Sequence, residues 1–332
     1  MDLFVSGDVF LDIVFTGLRR LPRPGEETWA PGMGSSPGGI ANLAVAAARL
    51  GLDTGLGAAF STDPYGEFCR GVLREQGVDL GPSRCFEDWH SPVTVSLAYQ
   101  RDRSMITHGH PAPVGPDGLV GELPAARAAS VSLTGERLPW VRRAARSGTL
   151  LFAGVGWDDS AVWPAAALDA LEDCHAFLPN AVEAMHYTRT DSPRAALHRL
   201  ADRVPVAVVT CGSEGALAID AATGEIVSAP AVHVEALDPT GAGDVFTAGF
   251  IAATLWGRPL GERLAFANLV AALSVRHFGG SLSAPGWSEI AAWRGAPGYG
   301  FLDELIPAVV SAGEPPRSRR AAATITRLPE AA

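Results

Sequence analysis

Short apolar runs alternate along the chain with stretches whose apolar residues recur at helical spacing. Leu3-Phe4-Val5-Ser6-Gly7 reads as a first strand, Ile40 to Leu50 as an Ala-rich helix stopped by Gly51, and Val204 to Thr210 as a strand apolar on both faces. Ala216 to Asp220 and Glu225 to Ala229 read as a hairpin turning at Thr223-Gly224. Strands that alternate with helices in this way predict an α/β fold, doubly wound, with a mainly parallel sheet flanked by helices. Two stretches break the rhythm. Residues 16–35 and 91–110 carry period-two patterns, as in Val93-Thr94-Val95-Ser96-Leu97, between Pro and Gly clusters. They are expected to form a small β-layer outside the main sheet that covers a site or pairs with a second copy of the chain, with ordinary edge loops as the alternative. From about Ser311 the composition turns to Gly, Pro, Arg and Ala without apolar periodicity. The expectation is one folded unit over 1–310 and a disordered tail over 311–332.

Composition removes several classes of function. All 26 basic residues are arginine, so mechanisms that need a Schiff-base or P-loop lysine are excluded. The 36 acidic residues leave a net charge of -10, which argues against nucleic acid as a partner and leaves room for a small anion in a local positive site. Cys69, Cys85, Cys174 and Cys211 are too scattered for a zinc or redox motif, and they fit a reducing cytoplasm. No apolar run is long enough for a membrane span, and no basic leader opens the chain, so a cytoplasmic protein with no membrane partner is expected.

The segment Asp238-Pro239-Thr240-Gly241-Ala242-Gly243-Asp244 runs straight into a long apolar stretch, as a Gly-rich turn opening a helix does. Small residues at 241–243 allow anionic oxygens to approach bare N–H groups, and the helix N-terminus adds positive potential. Phosphate can thus be neutralised without lysine. Asp244 stands at the same mouth, where a carboxylate can take a proton from an attacking hydroxyl. A plain helix cap is the simpler reading of such an aspartate taken alone.

Asp238 through Ile251 resembles, position by position, the C-terminal signature of the PfkB, or ribokinase-like, family of carbohydrate kinases. Gly38-Gly39-Ile40-Ala41-Asn42 running to Gly51 resembles the N-terminal signature. Where the family usually continues with G-x-D-x-x-G, this chain has Ser61-Thr62-Asp63-Pro64-Tyr65-Gly66. Gly7-Asp8 with Asp12, Asn180-Ala181-Val182-Glu183, and Thr210-Cys211-Gly212-Ser213-Glu214-Gly215 are similar to three further family elements in the family's order. The resemblance spans about residues 3 to 295.

That resemblance implies a ribokinase-like fold with a small β-lid and transfer of the ATP γ-phosphoryl group to a hydroxyl of a sugar or sugar derivative. It makes Asp244 the base and the N–H groups of Gly241, Ala242 and Gly243 the stabilisers of developing charge. It gives Asp12, Gly38, Gly39 and Asn42 to the sugar, and Asn180, Thr210, Gly212, Gly215, Asn268 and Gly279 to the nucleotide. It implies magnesium held through water by Glu183 and a monovalent cation such as potassium near Asp238, Thr240 and Ser283, while the half-polar β-layer leads us to expect a homodimer through the lid. A nucleoside kinase of the same fold and a catalytically silent sugar- or nucleotide-binding regulator are the alternatives. The identity of the acceptor is left to the lid.

Overall fold

The structure is a computed structural model that describes residues 1–99, 102–121, 123–133, 138–155, 162–311 and 326–327. The first strand, β1 (Leu3–Ser6), is buried on both sides: Leu3 and Val5 enter one hydrophobic cluster and Phe4 the other. Only a sheet covered on both faces can accept such a run. After Gly7-Asp8 the chain leaves this sheet and forms β2 (Val9–Leu18) and β3 (Gly32–Gly39), an antiparallel pair in a second sheet. It returns through α1 (Ala41–Arg49) to β4 (Thr54–Gly57), which pairs in parallel with β1. A small parallel pair, β5 (Ala59–Ser61) and β6 (Arg84–Phe86), flanks α2 (Pro64–Glu75). The second sheet is then completed by β7 (Val93–Tyr99) and β8 (Asp102–His108).

From there the chain keeps to the main sheet. It runs through α3 (Pro116–Val120), β9 (Ala128–Ser132), α4 (Pro139–Arg146), β10 (Leu150–Gly154) and β11 (Ala176–Phe177). Helices α5 (Ala181–Thr188) and α6 (Pro193–Ala201) lead to β12 (Val206–Thr210) and the hairpin β13 (Ala216–Asp220) and β14 (Glu225–Ala229). Helices α7 (Ala242–Leu255) and α8 (Leu260–Ser274) follow. The eight strands lie in the order β14-β13-β12-β11-β10-β9-β1-β4, parallel from β4 to β12 and antiparallel at the hairpin edge. One face is covered by α1, α2, α7 and α8, the other by α4, α5 and α6. This is the doubly wound, mainly parallel arrangement that the alternation of elements predicts.

The second sheet is the lid, in the order β3-β2-β7-β8. Its strands begin at Val9, earlier than the expected 16, and residues 19–31 are the connection between β2 and β3 rather than strand. The apolar run that starts at Leu3 therefore serves two sheets, with Gly7-Asp8 as the crossing point. Thr326–Arg327 pair antiparallel with Met33 and Gly32 on the outer edge of β3. The rest of the expected tail beyond residue 311, and residues 100 and 101 of the lid span, lie outside the described residues.

One carboxylate ties the lid to the main body. Asp63 caps α2 by accepting the Gly66 N–H at 2.7 Å, and it also accepts the Ser91 N–H and hydroxyl, both at 2.8 Å, just before β7. Burial works to raise this carboxyl, but the hydrogen bonds from Gly66, Ser91 and Ser61 hold it below its ordinary value. Ser61, which stands where the family has glycine, accepts the Asp63 N–H at 3.0 Å and so joins the same cap.

Candidate active site

Helices α1 and α7 meet at their N-termini. Gly241 precedes α7 with φ +75°, and a side chain there would press on Asn42, whose Cγ lies 3.0 Å from the position a Cβ would take. Asn42 is only 5% exposed, and its Nδ2 donates to Asp244 Oδ2 at 3.0 Å. Burial pushes the half-buried Asp244 carboxyl up to about 6, against the pull of that hydrogen bond. A group poised there changes protonation near neutrality, as a general base must. Of the three N–H groups in the turn, that of Ala242 is directed to the Pro239 carbonyl at 3.2 Å. The N–H groups of Gly241 and Gly243 are the better candidates to receive an anion.

Asp12 sits in the middle of lid strand β2, opposite Ser36 on β3 and Thr94 on β7. It therefore reaches the site from the lid, not from a loop at the end of β1. Its carboxylate lies where a Cβ on residue 38 would be, so only glycine at 38 admits it. Gly39, at φ +63° and against the Asp8 carbonyl, turns the chain from β3 into α1 and brings Asn42 to Asp244.

Beyond the α7 turn lies a cleft of about 330 Å³ lined by Thr210, Gly212, Gly215, Gly243, Phe246 and Asn268, among others. Its wall is largely apolar and its polar end is the glycine turn, which suits a flat heterocycle with phosphates directed at α7. Asn268 also builds that wall: its Nδ2 donates to the carbonyls of Ala229 at 3.0 Å and Pro230 at 3.1 Å. Gly279 does not line the cleft. Its N–H faces Asp238 Oδ2 at 3.5 Å, which groups it with the expected cation residues. There Asp238 Oδ1 accepts the Thr240 N–H at 2.9 Å and the Thr240 hydroxyl as well, while Ser283 donates to the Gly280 carbonyl at 2.6 Å. Gly280 in turn packs on Thr240.

Asn180 and Glu183 form a capping box on α5, with each side chain taking the other's backbone N–H at 2.9 Å. Burial raises the Glu183 carboxyl above its ordinary value, and the Asp244 charge adds to the effect against the Asn180 bonds. The two carboxylates thus sense each other across the mouth of the site, and a divalent cation between them would relieve that repulsion. Among the described residues no group of three or more His, Cys, Asp or Glu side chains is placed to hold a metal. The single Glu183 carboxylate is a donor that magnesium accepts, since this ion keeps most of its shell as water and phosphate oxygen.

Two parts of the site escape a reading of the sequence. The wall from Ala231 to Ala236 carries no motif, and Ser36 has no signal apart from its register with Asp12.

Residues 133–287 match the model of the pfkB family of carbohydrate kinases. The chain is 31% identical to an ATP-dependent ribose-1-phosphate kinase of Halopiger xanaduensis, across 87% of this chain and 96% of that one. It is 26% identical to a cytidine kinase of Thermococcus kodakarensis, across 79% and 91%. The solved structure of a putative ribokinase II from E. coli superposes with a TM-score of 0.77 at 22% identity, covering 88% of this chain and 98% of that one. With these likenesses added to the glycine turn, its aspartate and the doubly wound sheet under a β-lid, the chain belongs to the pfkB family of carbohydrate kinases.

Proposed function

We propose that this chain transfers the γ-phosphoryl group of ATP to a hydroxyl of a sugar or sugar derivative. The observation that carries the reading is the Asn42–Asp244 hydrogen bond, which joins the lid-side helix to the glycine turn and holds a carboxylate of raised pKa between lid and cleft. In this reading the acceptor lies under the lid against Asp12 and Asn42. Asp244 takes its hydroxyl proton as the oxygen bonds to the γ-phosphorus, and the bond from that phosphorus to the β-phosphate oxygen breaks to release ADP. The Gly241 and Gly243 N–H groups stabilise charge on the transferred group.

Glu183 would hold magnesium through water; when bound, the ion neutralises phosphate charge. Asp238, Thr240 and Ser283, gathered at the Gly279-Gly280 turn, are assigned to a monovalent cation such as potassium. The lid is assigned to a homodimer, which the exposed Met105 and Ile106 on β8 support. A cytoplasmic setting accords with four free thiols.

The test is ADP release in the presence of magnesium and potassium across sugars, sugar acids, sugar phosphates and nucleosides. Acceptor-dependent ADP release that Asp244→Asn lowers about a hundredfold or more is expected. Nucleotide binding with no turnover on any acceptor would establish a silent binder instead.

A further inference from the structure

The lid register places four polar side chains in one line. Ser36 on β3 lies opposite Asp12 on β2, Asp12 opposite Thr94 on β7, and Thr94 opposite Thr107 on β8. Residues directly opposite in a sheet point to the same face, so the four form a single polar row. Within the row Ser36 is 1% exposed and Thr94 9% exposed, Asp12 between them is half-buried, and Thr107 at the far end is exposed. Thr94 and Thr107 share a hydrogen bond between hydroxyls at 3.0 Å, which leaves one of the two protons for another partner.

Ser36 Oγ has no hydrogen-bond partner among the described residues, and neither has Asn42 Oδ1. Both lie 3.4 Å from the point a Cβ on Gly280 would occupy, so they flank one spot beside the residue that holds Asp244. Buried polar atoms are rarely left without partners, because an unmet hydrogen bond carries the full cost of desolvation. Two such atoms around one spot, one of them opposite Asp12, fit ligand hydroxyls that satisfy them.

We propose that the row Ser36–Asp12–Thr94–Thr107 is the acceptor-recognition surface of the lid, that Ser36 is a further acceptor-binding residue, and that the surface selects a neutral, polyhydroxylated sugar. This rests on the kinase reading above. The row offers three hydroxyls and one carboxylate, and it contains no cation. With Asp244 it presents two carboxylates to the acceptor, which disfavours a phosphate or carboxylate substituent there. It matches several sugar hydroxyls, each of which donates or accepts.

The experiment is steady-state ADP release by the full chain with D-ribose, D-fructose, ribose 1-phosphate or cytidine as acceptor. A neutral sugar is expected to exceed both other acceptors in kcat/KM by about tenfold or more, since sites built for hydroxyls reject mismatched ligands strongly. Ser36→Ala and, independently, Thr94→Val should each raise that sugar's KM about tenfold while the KM for ATP stays within about twofold. The Ser36→Ala protein should melt at or above the wild-type temperature, because an unmet buried polar atom is removed. Unchanged sugar KM in folded variants, or equal losses toward sugar and ATP, would overturn the assignment. Preference for cytidine or ribose 1-phosphate would overturn the neutral-sugar class while leaving the kinase reading intact. No ADP release with any of the four acceptors would overturn this inference, while the kinase reading falls only if the wider panel above also gives none.

Discussion

Replacing Asp244 by asparagine should make the protein slower and more stable at once. The carboxyl titrates at about 6 in the fold against an ordinary 3.8. Between those values the folded chain keeps a proton that the unfolded chain has lost, so wild-type stability falls as pH rises through the window from about 4 to about 6. Above it the ionised, desolvated carboxylate costs on the order of 1–3 kcal/mol, allowing for solvent around a half-buried group. Asparagine has nothing to ionise, and its carbonyl oxygen still accepts from Asn42. The variant should therefore be more stable than wild type at neutral pH, with the difference shrinking to nothing near pH 4. Without a base, kcat on the identified acceptor should fall about a hundredfold or more. Denaturant melts of both proteins across that pH range, with initial rates at neutral pH, measure the two effects. Parallel stability profiles would show that the carboxylate is well solvated, and a wild-type kcat would remove Asp244 as the base.

Asn42→Ala removes the hydrogen bond that favours the charged form of Asp244. The acid limb of kcat/KM should move upward from near 6 by about one pH unit, and a limb that stays in place would uncouple the pair. Gly38→Ala puts a methyl group where the Asp12 carboxylate lies, so the acceptor KM should rise about tenfold with ATP unaffected. An unchanged acceptor KM would release Asp12 from the site. Glu183→Gln keeps an oxygen for the capping box but loses the charge, and the magnesium needed for half-maximal rate should rise about tenfold. A superimposable magnesium titration would remove Glu183 from the ion's surroundings.

Much of the architecture is written locally. The α/β class, the all-buried Val206–Val209 run, the β13–β14 hairpin and the glycine turn before α7 follow from side-chain periodicity and from glycine's freedom at φ > 0, both properties of neighbouring residues. Asp244 is legible for the same reason, since it stands one step after the turn it serves. What joins these pieces is not local. Asn42 and Asp244 meet across 202 positions because α1 and α7 are packed side by side on one face of the sheet. Asp12 acquires its neighbours Ser36 and Thr94 only through strand register, and a slip of one residue would turn Asp12 to the other face of the lid. Gly279 follows the Asp238 turn rather than the nucleotide cleft, and the amide of Asn268 holds the cleft wall together, because each partner comes from a distant segment. Periodicity along a chain determines which faces are buried. Which buried faces meet is decided when the sheets and helices pack, and the groups proposed for catalysis and acceptor binding lie at those meeting points.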